Sequence, residues 1–233
     1  MDWQQLAIFK LVRGSHASVE YGLCAMEAVA WLEGLEHSDR PACTCPVIGA
    51  YVRALNDQVH DEERQRLIPY LPRLVGTVSP DYEWARARYL VSQSLGRAWP
   101  IALRLVNLEM VALELEAMGK QWEDAPRARV ISLSALADRA ARATHFRDDP
   151  LVCFARAALA DIATSADLAD LSIPAASAHL ADLGTLAARP AGVMCCRIYL
   201  EMLDGVLAIG PLSQGFSRPI EPRVQAYREL ISA

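Results

Sequence analysis

Apolar residues recur at helical spacing along most of this chain, and the two-residue alternation of a half-buried strand is almost absent. That pattern argues for helices over sheets. With 233 residues, 53% of them apolar, the chain can bury a sizeable core as one large helical domain or two small ones. The expected fold is all-α, a compact bundle of roughly nine to ten helices.

Proline and glycine set the helix ends. Residues 3–12 read as a first helix, ended by Arg13-Gly14. Residues 20–32 read as a second, with Ser18 as N-cap and Gly34 as stop. Residues 35–45 form a polar, thiol-bearing loop. Residues 46–56 follow with Pro46 in the first turn. A helix over 61–70 is closed off by Pro69 and Pro72. Helices over 80–96 and 100–118 are separated at Trp99-Pro100, and Leu105, Leu108, Val111, Ala112 and Leu115 make an apolar stripe on the second. Residues 119–126 are the clearest linker. They divide an N-terminal region, 1–118, from an Ala-rich region, 128–233, although one continuous domain is equally allowed. The Ala-rich part carries helices over 128–143, 149–164, 174–187 and 192–209, an extended 210–222 and a short terminal helix over Glu221–Ile231.

Charge and motifs exclude several function classes. The net charge is −5 and no basic stripe is interleaved with aromatic residues, which argues against a nucleic-acid partner. The only seat for one is residues 61–70 with Arg53, Arg64, Arg66 and Arg73. No apolar run reaches the roughly 18 to 20 residues of a membrane span. The N-terminus lacks the basic start and cleavage site of a signal peptide, so a cytoplasmic protein with reduced thiols is expected. Neither G-x-G-x-x-G nor G-x-x-x-x-G-K occurs. Glu109, Glu114 and Glu116 do not form the Glu-x-x-His pattern of di-iron bundles.

The chemistry concentrates in residues 21–46, which hold three of the six cysteines and one of the five histidines. On a helix from residue 20, Glu20, Cys24, Glu27 and Trp31 share one stripe. Leu23, Met26 and Ala30 beside them are apolar, so Glu27 is expected near the core, where a carboxylate needs a partner. An arginine from elsewhere is the ordinary one. The loop adds His37, Asp39, Cys43 and Cys45. Cys24, His37, Cys43 and Cys45 would make a Cys₃His zinc set, although Cys-x-Cys is shorter than the usual spacing. Unliganded thiols packed as small hydrophobes are the plainer reading. A thiol nucleophile, Cys24 or Cys43, with His16 or His37 as base and Asp39 as orienter, is a third. Cys153, Cys195 and Cys196 read as core, and Ser38 or Asp39 as a turn before Pro41.

Three stretches, residues 14–27, 30–56 and 64–77, resemble a group of uncharacterised helical proteins from actinobacteria and their phages. Cys24-Ala25-Met26-Glu27 and Ser38-Asp39-Arg40-Pro41 are the most specific parts, and the likeness covers about the first third of the chain. The group usually carries His where this chain has Arg40, which argues against an essential ligand there. The resemblance implies no reaction, and it singles out His16, Cys24, Glu27, His37, Asp39 and Cys43.

Three functions are consistent with these residues. The first is a helical module binding a protein partner or small ligand, its Cys/His/Glu cluster structural. The second is a metal- or thiol-dependent enzyme using the same cluster. The third is a DNA-binding regulator. A homo-oligomer stays open under each.

Overall fold

The computed structural model describes residues 3–105, 109–124, 188 and 197–232. These are mostly helical and contain no strand. None of their helices is long and apolar enough to cross a membrane. The helices expected over 128–143, 149–164 and 174–187, with Cys153, Cys195 and Cys196, lie outside the described residues.

Helix α1 spans Ala25–Glu33 and α2 spans Pro46–Gln58. The short α3, Asp61–Arg64, runs through a 3-10 stretch, Gln65–Tyr70, into α4, Leu71–Leu74. Next come α5, Pro80–Gln93, a π turn, Ser94–Ala98, then α6, Trp99–Leu105, and α7, Glu109–Asp124. Arg197–Leu207, here α8, and Glu221–Ile231, here α9, complete the described helices.

Five expectations are corrected. The first segment is a 3-10 turn, Trp3–Ile8, after which the chain extends and Leu11 bridges to Leu23. The second helix begins at Ala25, because residues 22–24 form that bridge and the cap, so Glu20 is not on its stripe. Pro72 does not end its segment, since it falls in the first turn of α4, where no N–H is needed. Nor does Trp99-Pro100 break the chain. Pro100 would clash with the carbonyl four residues back, at Gly96, and the π turn around Gly96 absorbs the misfit.

Gly119, expected to open a linker, lies inside α7 and marks a close helix crossing. A Cβ there would come within 2.5 Å of Gly96 Cα. Ser92 Oγ also donates to the Gly119 carbonyl at 3.0 Å. On the expected stripe, Ala112 and Leu115 are fully buried.

The described C-terminal residues share the N-terminal core. Tyr199, Met202, Leu203 and Val206 of α8 are fully buried, and the Tyr51 hydroxyl on α2 donates to the Tyr199 carbonyl. Tyr227 of α9 stacks on Phe9 at 4.4 Å. Buried Glu33, at the end of α1, accepts from both the N–H and the hydroxyl of Ser217.

Candidate functional site

The start of α1 gathers four of the residues singled out in the sequence. Cys24 caps the helix, its Sγ accepting from the Glu27 N–H at 3.4 Å. The Glu27 carboxylate reaches back to accept from the Cys24 N–H at 2.8 Å. This is the reciprocal capping box, with a thiol where Ser or Thr usually stands. Glu27 is 1% exposed. Its oxygens also accept from the His16 N–H at 2.6 Å and from His16 Nδ1 at 3.0 Å. His37 Nε2 lies 3.7 Å from the same carboxylate and donates to the His16 carbonyl at 2.8 Å. Both contacts require a proton on the ring nitrogen concerned, because a carboxylate and a carbonyl can only accept.

An extended strap brings His16 there. Gln65 pairs with both the N–H and the carbonyl of Leu11. The Val12 N–H donates to the Leu23 carbonyl, and Asn56 Nδ2 donates to Val12 O. The Gly14 N–H donates to Asp57 Oδ1 at 2.8 Å. Gly22 makes this approach feasible: its φ is +113°, and a Cβ there would meet Val12 Cγ2 at 2.5 Å. Asn56, fully buried, also accepts from the Ala25 N–H. It therefore ties strap, cap and α2 together.

The electrostatics follow from these contacts. Burial raises the Glu27 carboxyl pKa, but the N–H groups of Cys24 and His16 and the His16 ring outweigh it, so the carboxyl lies below its usual range. At Cys24 burial outweighs the opposing N–H groups of Glu27 and Met26, so the thiol is pushed up to about 12, and the neighbouring Glu27 charge adds to the rise. Burial also raises the Cys43 thiol.

The Arg partner expected for Glu27 is replaced by His16 and two backbone N–H groups. The proposed metal quartet, Cys24, His37, Cys43 and Cys45, is not assembled as a ligand set: among the described residues no group of three or more His, Cys, Asp or Glu is placed to hold a metal ion. The physical reason is that each has other work. Cys24 Sγ is the helix cap, and His37 is bonded to the His16 carbonyl. Cys45 is fully buried at the head of α2, its N–H on Thr77 Oγ1. Half-buried Cys43 lies next to the Thr44 hydroxyl. Asp39 stands apart from the Glu27 cluster as well. Its carbonyl accepts from Arg53 Nη1 at 2.9 Å, and its carboxylate is 3.6 Å from Arg53 Nε.

The arginines of the nucleic-acid seat are also engaged. Arg64 is buried and donates to Asn56 O, Val59 O and Asp61. Arg66 pairs with Glu63, and Arg73 with Asp204.

Beside the cluster lies a cleft of about 420 Å³ that the sequence reading did not find. Met26, Cys45, Pro46 and Val78 give it apolar walls; Arg53 and Glu83 give it charge. Arg53 and Arg40 also border a second cavity of about 250 Å³, on the side of Gly14, Cys24 and Asp57. Burial lowers the Arg53 pKa, against the opposing pull of Asp39. One signal for Glu83 was present in the sequence. It shares a helical stripe with Ala87, Leu90 and Val91, the same kind of evidence that placed Glu27.

No family model matches the chain, and no curated protein or solved structure matches it either.

Proposed function

We propose that this chain is a helical binding module for a small ligand or a protein partner, with the His16–Cys24–Glu27–His37 cluster serving to hold the strap, the cap and the loop together. One observation carries the reading: the cluster's reactive groups are already used. Glu27 accepts three hydrogen bonds, and Cys24 is a capping thiol 2% exposed with its pKa near 12. Such a thiol is a poor nucleophile and a poor metal ligand, since both roles need the thiolate. The adjoining 420 Å³ cleft, by contrast, is open to a guest and within the size range of small-molecule sites.

Membership of the actinobacterial and phage group, a cytoplasmic setting and an all-α bundle of nine to ten helices belong to the same proposal. Free thiols at Cys24, Cys43 and Cys45 agree with a reducing compartment.

Native mass spectrometry and elemental analysis of protein purified without a tag or added metal test the reading. A molecule or partner that co-purifies with the chain and is shed on denaturation is the expected result. Stoichiometric zinc or iron that disappears in Cys24→Ser or Cys43→Ser would overturn it in favour of a metal site.

A further inference from the structure

The 420 Å³ cleft presents two opposite charges, a glutamate without a partner among the described residues and an arginine whose pairing with Asp39 leaves one nitrogen free. Glu83 is 7% exposed, lines the cleft, and has no hydrogen bond or ion pair among the described residues. Arg86, one turn further along α5, makes no direct ion pair with it, and its buried Nη2 has no hydrogen-bond partner among the described residues. That guanidinium donates instead to the carbonyls of Thr77 and Ile209. The Glu83 oxygens keep some exposure toward the cleft and their place in the first turn of α5 favours the charge, yet no group among the described residues donates to them. Arg53 commits Nη1 and Nε to Asp39, while Nη2 has no partner among the described residues. Met26, Cys45, Pro46 and Val78 supply the apolar surface of the same cleft.

Resting on the small-ligand form of the reading above, we propose that this cleft binds a small organic zwitterion. Its ammonium sits on the Glu83 carboxylate, its carboxylate on the Arg53 guanidinium, and its hydrocarbon part on Met26 and Val78. An ammonium brings the donors that Glu83 lacks, and a planar carboxylate suits the guanidinium fork. A simple anion would meet Arg53 but be repelled by Glu83. A simple cation would meet Glu83 but be repelled by Arg53 and by Arg40 at the rim. Only a guest with both charges satisfies both ends.

Calorimetric titration of the full chain tests this with two zwitterions, L-leucine with adjacent charges and ε-aminocaproate with separated ones. The controls are isoamylamine, isocaproate and isopentanol. One zwitterion is expected to bind at least tenfold tighter than any control. Glu83→Gln is expected to weaken it at least tenfold with the far-UV circular dichroism unchanged, and Arg53→Gln to weaken it similarly. Because Arg53 also holds the Asp39 loop, the Glu83→Gln result decides. Equal or weaker binding of both zwitterions relative to the controls, or full affinity in Glu83→Gln, would overturn the proposal. If a control binds instead and Val78→Trp abolishes that binding, the zwitterion inference falls while the binding-module reading stands. If no probe binds and nothing co-purifies with the chain, both fall.

Discussion

The head of α1 and the cleft beside it each contain a buried glutamate, and the two are treated oppositely. Glu27, 1% exposed, is saturated: two backbone N–H groups and a histidine ring fill its oxygens, and the segments donating them are held there by Asn56, Asp57 and Gln65. Glu83, 7% exposed, has no donor among the described residues, yet faces a space large enough for a guest. Burial alone therefore does not distinguish a structural charge from a functional one. The number of donors does, because a satisfied buried carboxylate is part of the fold and an unsatisfied one is a demand on something else.

Removing the saturated carboxylate should have the largest effect. Glu27→Ala leaves the N–H groups of Cys24 and His16 and the His16 ring without their acceptor, and it destroys the capping box. The expected loss is about 3–5 kcal/mol in urea unfolding, with the unpaired buried donors contributing most of it. A loss below about 1 kcal/mol would show that the strap and cap stay together without Glu27 and would remove the structural half of the comparison.

Acid should reveal the same carboxylate. Its folded pKa lies below the ordinary value of 4.5, so its contribution to stability is complete above that value. As pH falls, the folded state must give up a favourable charge, and the contribution disappears through the lower, folded value. Stability measured between about pH 6 and about pH 3 should thus decline less steeply in Glu27→Gln than in the parent. Some slope should persist, because Asp61, Glu116 and Glu201 are also held below their usual values by arginines. Parallel slopes for the two proteins would mean that Glu27 is not the acid-sensitive group.

The opposite sign is expected at the cleft. Glu83→Leu removes an unpartnered buried charge and should leave the ligand-free protein unchanged or raise its stability by about 1–2 kcal/mol. Thermal and urea unfolding without added ligand would measure it. A loss of more than about 1 kcal/mol would make Glu83 a structural residue and erase the contrast with Glu27.

The sequence disclosed the helical class, the burial of Glu27 and the terminal helix because each depends on local periodicity. The terminal helix spans Glu221–Ile231, the range its periodicity predicts. It missed what depends on distant contacts. Residues 9–12 have helical propensity, but Leu11 is claimed by Gln65 and Leu23 from elsewhere in the chain. Gly119 looks like a break, yet Gly96 of the π turn requires a residue without a side chain there. His16 was a plain candidate, but its partnership with Glu27 needs a strap whose anchors, Asn56 and Asp57, carried no motif. Cysteine spacing suggested zinc because spacing says nothing of the direction a side chain takes.

The smallest effect is expected at Cys24, where the comparison moves from carboxylates to thiols. Sγ accepts the Glu27 N–H, a role a serine hydroxyl fills at least as well, so Cys24→Ser should shift stability by less than about 1 kcal/mol in either direction. Reactivity should separate Cys24 from Cys43 more clearly. With its pKa pushed up to about 12, Cys24 is held as the thiol at about pH 8, and the residue is 2% exposed. Half-buried Cys43 is reachable without opening α1. Brief iodoacetamide treatment of the native protein, followed by peptide mapping, should label Cys43 well before Cys24. Labelling of Cys24 should then rise together with the unfolded fraction in urea, because only release of the cap exposes it. Fast native-state labelling at Cys24 would return the thiol chemistry to consideration, since it would require an open, ionised sulfur at a position that the capping box keeps closed and protonated.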